Sequence, residues 1–90
     1  MAQLIKPNGQ RKELALPITL EDAQKMVGGY VEVVHPKKMP TVIMLVNEDG
    51  LDKGLPPNLV ASQFYGGVIV GNAIIIPRDQ MKAAGWGPDA

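Results

Sequence analysis

The sequence predicts an α+β domain built on a small, mostly antiparallel sheet, with one main helix and one or two short helices. Three observations carry this prediction. Short runs of β-branched residues alternate with glycine- and proline-rich turns, one segment has the capping residues and apolar spacing of a helix, and 90 residues fit a single domain. We place that domain at residues 1–77 and assign residues 78–90 to a short C-terminal helix or tail.

The first two predicted strands are joined by a turn. Residues 2–6 form the first strand and residues 12–16 the second. Pro7-Asn8-Gly9 between them is typical of a turn, because proline fixes φ and Asn-Gly tolerates positive φ. Alternation of apolar and polar residues is weak in the second segment, so the turn carries most of this prediction.

The clearest local pattern is a helix at residues 20–27. Thr19 is the expected N-cap, and acidic residues in the first turn favour the positive end of the helix dipole. The apolar residues share one face at the spacing i, i+3 and i+7: Leu20, Ala23 and Val27. Gly28-Gly29 ends the helix, because glycine enters the left-handed region at no steric cost.

Two further strands follow at residues 30–34 and 41–46. The first is rich in β-branched residues and partly alternating. The second is apolar on both faces, so both faces should be covered. One helix covers only one face of a sheet. The sequence therefore leaves two alternatives, a sheet that curls into a partial barrel or a second copy that covers the open face, and we expect a homo-oligomer.

Two weaker helix patterns lie in the last third of the chain. Residues 59–65 form a short helix that begins after Asn58 as N-cap and ends at Gly66-Gly67. Residues 79–84 form one helical turn or more.

A strand pattern between these helices is interrupted by Gly71-Asn72. Residues 68–70 and 73–76 flank this pair. The pattern favours either a two-residue hairpin with both turn residues at positive φ or a bulge within one strand. Pro77 ends the strand in either case.

Charge and composition exclude several classes of function. Nine Lys and Arg residues balance nine Asp and Glu residues, so no basic excess drives nonspecific binding to nucleic acid. The absence of cysteine removes disulfides and thiolate metal sites. No signal-peptide pattern opens the chain, and the longest apolar run, residues 42–46, is too short to span a bilayer. We therefore expect a cytoplasmic protein without a nucleic-acid or membrane partner.

No catalytic centre is recognisable in the sequence. Ser62 is the only serine and lacks the pattern of a nucleophile elbow, and His35, the only histidine, follows a predicted strand. Residues 47–52 carry oxygen ligands, but their glycine and carboxylate spacing does not match a calcium loop. We expect no metal, no cofactor and no enzymatic activity, with Glu48 as a lone general base remaining the enzymatic alternative.

The loop from Asn47 to Asn58 is the one segment whose composition suggests a binding site. Two prolines stiffen it, glycines admit close approach of a ligand, and asparagine amides can hydrogen-bond as base or ribose edges require. Rigid polar loops that follow buried strands are frequent binding sites, although a solvated connector is the alternative. The expected ligand-binding residues are Asn47, Glu48, Asp49, Gly50, Lys53, Gly54, Pro56, Pro57 and Asn58.

Four stretches of the chain carry a resemblance to a known family. They are residues 5–9 (IKPNG), 27–33 (VGGYVEV), 46–50 with 53–58 (VNEDG and KGLPPN), and 68–73 (VIVGNA). In order and spacing they resemble a family of small bacteriophage and mobile-element proteins catalogued as domain of unknown function 3846. The resemblance covers most of residues 4–76, and the tail after Pro77 lies outside it. It implies an origin rather than a mechanism, and a phage-encoded protein would be expected in the host cytoplasm.

Two hypotheses of function follow from the loop and the resemblance. Small early phage proteins often disarm host defence, so by analogy the first is a ligand-binding module that sequesters a nucleotide-derived signalling molecule. Lys53, Lys6, Arg11 or backbone N–H groups would then offset the negative charge of the ligand. The second is a protein-interaction inhibitor of a host defence factor, which docks through Glu48, Asp49 or Trp86.

Overall fold

The computed structural model describes residues 2–83, which form a five-stranded antiparallel sheet and three helices. The elements, in chain order, are β1 (Ala2–Ile5), β2 (Arg11–Leu14), α1 (Leu20–Val27), β3 (Val31–Val34), β4 (Val42–Asn47), α2 (Leu59–Tyr65), β5 (Ala73–Pro77) and α3 (Arg78–Ala83). The strands lie in the order β2-β1-β5-β4-β3. The predicted α+β class is confirmed. The sheet is open, because β2 and β3 lie at opposite edges, and the barrel-like alternative is therefore wrong.

One face of the sheet packs against α1. Thr19 caps this helix by accepting a hydrogen bond from the N–H of Asp22 at 3.1 Å, and Gly28 ends it in the left-handed region at a φ of 80°. Both helix ends are those that the sequence predicts. The buried core on this side consists of Ala2, Leu4, Ile18, Ala23, Val27, Ile43, Leu45, Ile74, Ile76 and Met81. This packing sets the end of α1 beside β3 and β4.

The opposite face of the sheet packs against α2. The buried core on this side consists of Met44, Val46, Ala61, Ile69 and Ala73. β4 is therefore covered on both faces, as its apolar sequence predicts. The cover comes from the chain itself, since α2 lies where a second copy was expected. Homo-oligomerisation stays a prediction, but an uncovered sheet face no longer supports it, because α2 covers that face.

The segment between α2 and β5 differs from both alternatives that the sequence suggested. Residues 68–72 form neither a hairpin nor a bulge, because Val70 makes an isolated antiparallel bridge with Pro57. Gly71 has a positive φ of 75°, whereas Asn72 does not. Backbone hydrogen bonds of 2.8 Å on both sides of the bridge hold the two segments together. A partner distant in the sequence thus replaces the local turn.

The predicted short C-terminal helix is present as α3 and contributes to the core. Met81 is 1% exposed and lies in the cluster on the α1 face. Trp86 and the rest of the predicted tail lie outside the described residues. The second strand begins and ends earlier than predicted, at Arg11–Leu14. None of the described helices is long and apolar enough to cross a membrane.

Candidate functional site

The loop at residues 47–58 is folded onto itself by backbone hydrogen bonds. The N–H of Gly50 donates to the carbonyl of Asn47 at 3.2 Å, and the N–H of Leu55 donates to the carbonyl of Gly50 at 3.0 Å. Between them, the N–H of Lys53 donates to the carbonyl of Asp49 at 2.9 Å. The loop is therefore a compact series of turns, and its backbone as well as its prolines sets its shape.

Asn47 anchors the start of the loop to the end of α1. Its amide nitrogen donates to the carbonyl of Val27 at 3.0 Å, and its amide oxygen accepts from the N–H of Asp49 at 2.8 Å. The Nζ of Lys53 makes a longer contact, 3.4 Å, with the carbonyl of Gly28. Carbonyls at a helix C-terminus need such outside partners. Asn47 is buried, so both halves of its amide are used within the protein.

Asn58 anchors the end of the loop and is fully buried. Its amide oxygen caps α2 by accepting from the N–H of Ala61 at 3.1 Å, which confirms the predicted N-cap. Its amide nitrogen donates to the carbonyls of Ile5 and Gly71, at 2.9 and 2.8 Å. One side chain therefore joins β1, α2 and the segment before β5, and it contributes to any site by shaping it.

The sequence stretches that carry the family resemblance meet through these two asparagines. Asn47 connects the loop to residues 27–33, and Asn58 connects it to residues 5–9 and 68–73. The motifs are thus parts of one tertiary junction. A ligand-binding interpretation therefore depends on the surface residues of the loop.

Close packing explains two of the glycines around the loop. A Cβ built at Gly50 would lie 2.9 Å from Cγ2 of Val70, and one at Gly71 would lie 2.8 Å from Cδ1 of Leu55. The close approach that the sequence suggested for a ligand at Gly50 is thus made by the protein's own side chain. Gly54 adopts a φ of 67° with open space around it, as a turn requires.

The surface of the loop is divided between three places. Pro56 and Pro57 are exposed beside the bridge to the segment before β5. Asp49 and Lys53 line a groove on the α1 side, and Glu48 lines a second groove on the α2 side. The structure therefore does not bring all the predicted site residues together.

The groove on the α1 side, which we call the lysine groove, is shallow and has a volume of about 310 Å³. This volume is at the lower end of the range of about 300–1,000 Å³ for small-molecule sites. Its lining consists of Gln24, Gly29, Tyr30, Asp49 and Lys53. Tyr30 is 69% exposed, so its ring is accessible for stacking. An aromatic ring, an ammonium, a carboxylate and an amide thus surround one open space.

Gly29 leaves the space that Lys53 occupies. A Cβ at Gly29 would lie 2.8 Å from Nζ of Lys53 and 3.0 Å from Nδ2 of Asn47. The lysine can move away, but the buried amide cannot.

We therefore expect Gly29→Ala to lower the free energy of unfolding by about 1 kcal/mol. Urea unfolding measures this loss. The matched control is Gly67→Ala, whose Cβ would meet only the ring of Tyr65, at 3.2 Å; equal stability losses in the two variants would contradict the prediction.

The second groove, which we call the acidic groove, has a volume of about 160 Å³. Its lining includes the carboxylates of Glu32 and Glu48 and, within the described part of the chain, no basic side chain. Leu51 and Val68, which also line it, are each 74% exposed. Negative charge beside exposed apolar surface suits a basic, partly apolar partner and opposes a phosphate.

The candidate catalytic residues from the sequence have other surroundings. Ser62 Oγ donates to the carbonyl of Asn58 at 2.7 Å and accepts from the N–H of Ile69 at 2.9 Å, which ties α2 to the segment that follows it. His35 is exposed after β3. Residues 2–83 contain no cluster of three metal-ligating side chains of the His, Cys, Asp or Glu type.

Three of the residues that line the lysine groove are not among those predicted from the sequence: Gln24, Gly29 and Tyr30. Tyr30 gave one usable signal, because the sequence places a large aromatic residue directly after the Gly-Gly pair that ends α1. Its proximity to Asp49 becomes visible only when β3 is paired with β4.

The family model of a domain of unknown function (DUF3846) matches residues 2–84. Because the match covers nearly the whole chain, the protein belongs to the DUF3846 family. The match extends through α3, so the expectation that everything after Pro77 lies outside the family is wrong. No curated protein and no solved structure matches the chain. The family description assigns no activity.

Proposed function

We propose that the protein is a non-enzymatic binding module that holds a nucleotide-type ligand in the lysine groove. The observation that carries the proposal is the convergence of Tyr30, Asp49 and Lys53 on one groove, although they come from two different loops. Asn47 and the backbone turns fix the positions of the loop residues before any ligand binds. Such preorganisation favours affinity, because less ordering is needed on binding.

Each group in the lysine groove matches one part of a nucleotide. The exposed ring of Tyr30 offers a stacking surface for a base. The carboxylate of Asp49 can accept hydrogen bonds from ribose hydroxyls, and the ammonium of Lys53 can pair with a phosphate. Gln24 adds a donor and an acceptor for a base edge. Since the groove has one cation and one carboxylate, we expect a ligand with few phosphate charges, of the cyclic or ADP-ribose-derived kind, rather than a triphosphate.

Binding without turnover would let the protein lower the free concentration of such a molecule. We infer from the family resemblance that the setting is the host cytoplasm and that the captured molecule is a signal of host defence. The protein would then act stoichiometrically, with one ligand held for each groove.

A thermal-shift screen against cyclic and ADP-ribose-derived nucleotides tests the proposal. We expect stabilisation by about 2.7 kcal/mol when the ligand is at 100 times its Kd. Lys53→Ala and Tyr30→Ala should each weaken binding by about tenfold or more, since each removes one of the recognition groups. Lys37→Ala is the matched control, because it removes the same charge from an exposed connector residue outside the groove.

Two results would contradict the proposal. One is the absence of stabilisation by every nucleotide at millimolar concentration. The other is equal weakening by Lys53→Ala and Lys37→Ala, which would reduce the effect to net charge. Chromatography of the recovered nucleotide separates binding from catalysis. An altered nucleotide would establish an enzymatic alternative instead.

A further inference from the structure

We propose that the free edge of β3 and the adjoining acidic groove dock an extended segment of a partner protein, which adds to the sheet as a further strand. This inference does not depend on the ligand of the lysine groove. Addition of a strand to a sheet edge supplies affinity through main-chain hydrogen bonds and specificity through alternate side chains.

The backbone pattern shows which groups of β3 are available. The N–H of Glu48 donates to the carbonyl of Tyr30 at 2.8 Å, so these two residues form a hydrogen-bonded pair. In an antiparallel ladder, hydrogen-bonded and non-hydrogen-bonded pairs alternate. Val31 and Val33 are therefore in non-hydrogen-bonded pairs with β4 and direct their N–H and C=O groups to the outer edge. Among residues 2–83, no strand pairs with this edge, so β3 offers it a donor and an acceptor from each of two residues.

The two edges of the sheet differ in how far they oppose pairing. Arg11, Lys12 and Glu13 are consecutive, charged and exposed in β2, and charged side chains are a common protection of edge strands. In β3, the residues whose backbone N–H and C=O groups face the outer edge are uncharged, Val31 and Val33. The β3 edge is therefore the one suited to pairing.

The two faces of β3 specify the side chains of the docked strand. Val31 and Val33 pack on the α1 face, whereas Glu32 lines the acidic groove together with Glu48. Successive residues of the docked strand would lie beside these two faces in turn. β-branched residues fit beside the valines, and lysine or arginine fits beside the glutamates. The occupant is therefore an extended segment in which basic and β-branched residues alternate.

The size of the acidic groove suits a single side chain better than a small molecule. Its volume of about 160 Å³ is below the range of about 300–1,000 Å³ for ligand pockets. Leu51 and Val68 are largely exposed there and can pack against the aliphatic stem of a lysine or arginine. The charged end of that side chain would then meet the two carboxylates.

A ¹H–¹⁵N NMR titration of the whole chain with a synthetic peptide tests this proposal. The peptide is capped at both ends and alternates lysine with valine; a second peptide of equal composition has its lysines consecutive. With the alternating peptide, we expect chemical-shift changes at Val31 and Val33 and slower hydrogen exchange of both amides, because they become strand donors. Binding of the second peptide should be weaker by about tenfold or more, since its lysines cannot all face the glutamates.

Charge reversal separates docking on β3 from nonspecific attraction. Glu32→Lys should weaken binding of the alternating peptide by about tenfold or more. Glu13→Lys makes the same change in net charge on β2 and should change binding by less than about twofold. Circular dichroism confirms that both variants are folded. Equal effects of the two substitutions, equal binding of both peptides, no binding at millimolar concentration, or shift changes away from β3 would each overturn the proposal. Concentration-dependent protection of Val31 and Val33 without peptide would also overturn it, because a second copy would then occupy the edge.

Discussion

Replacement of Asn58 by alanine is expected to lower the free energy of unfolding by about 3 kcal/mol. The substitution removes the N-cap of α2, a loss of about 1 kcal/mol. It also removes the donor to the carbonyls of Ile5 and Gly71, and each buried acceptor left without a partner costs about 1 kcal/mol or more. Denaturant unfolding followed by circular dichroism measures the change. Because Asn58 joins three parts of the fold, this should be among the largest single-residue effects outside the apolar core.

One further variant and one control show whether the donor half of the Asn58 amide matters. Asn58→Asp retains an acceptor for the N–H of Ala61 but loses the donor and places a buried carboxylate beside two carbonyls, so we expect it to be no more stable than Asn58→Ala. Asn8→Ala is the control, because Asn8 is exposed and makes one local contact, with the N–H of Gln10 at 2.9 Å. Its loss should be about 0.5 kcal/mol. Similar losses for Asn8→Ala and Asn58→Ala would contradict the role assigned to Asn58.

Replacement of Asn47 by alanine is expected to cost about 2 kcal/mol of unfolding free energy, because both hydrogen bonds of a buried amide are lost. We also expect the substitution to make residues 48–55 more mobile and to weaken nucleotide binding, since Asp49 and Lys53 would no longer be held beside Tyr30. Urea unfolding, hydrogen exchange of the loop and ligand titration provide the three measurements.

Asn72 supplies a matched control for Asn47. Its amide nitrogen donates to the carbonyl of Met26 at 2.8 Å. Asn72 therefore also binds a carbonyl at the end of α1, but it lies outside the loop. Asn72→Ala should lower stability without a selective change in ligand affinity. Asn47→Asp adds a second comparison: it retains an acceptor for Asp49 but sets a negative charge against the C-terminus of α1, which the helix dipole disfavours. Equal ligand affinity in Asn47→Ala and wild type would show that the loop needs no anchor.

The parts of the fold that could be predicted from the sequence are those with local causes. Thr19 and Gly28 define α1, and Asn58 and Gly66 define α2, because caps and left-handed glycines act within a few residues. The continuous apolar run of β4 correctly indicated cover on both faces. These signals depend only on neighbouring residues, so a single sequence contains them.

The parts that could not be predicted depend on contacts between distant residues. The bridge between Pro57 and Val70 stands in place of the expected hairpin or bulge, because the partner of Val70 is a loop residue 13 positions away in the sequence. Asparagines 47 and 58 looked like ligand-binding groups because their amides suit both purposes; only the carbonyls of Val27 and Ile5, brought there by folding, show that the amides are used internally. The division of the loop surface into two grooves of different charge has the same tertiary origin.

The most direct test of the central claim is a ¹H–¹⁵N NMR titration with the nucleotide that gives the largest thermal shift. We expect saturable chemical-shift changes centred on the residues of the lysine groove, Gln24, Gly29, Tyr30, Asp49 and Lys53. Changes centred on the acidic groove, or a spectrum that no nucleotide alters at millimolar concentration, would contradict it.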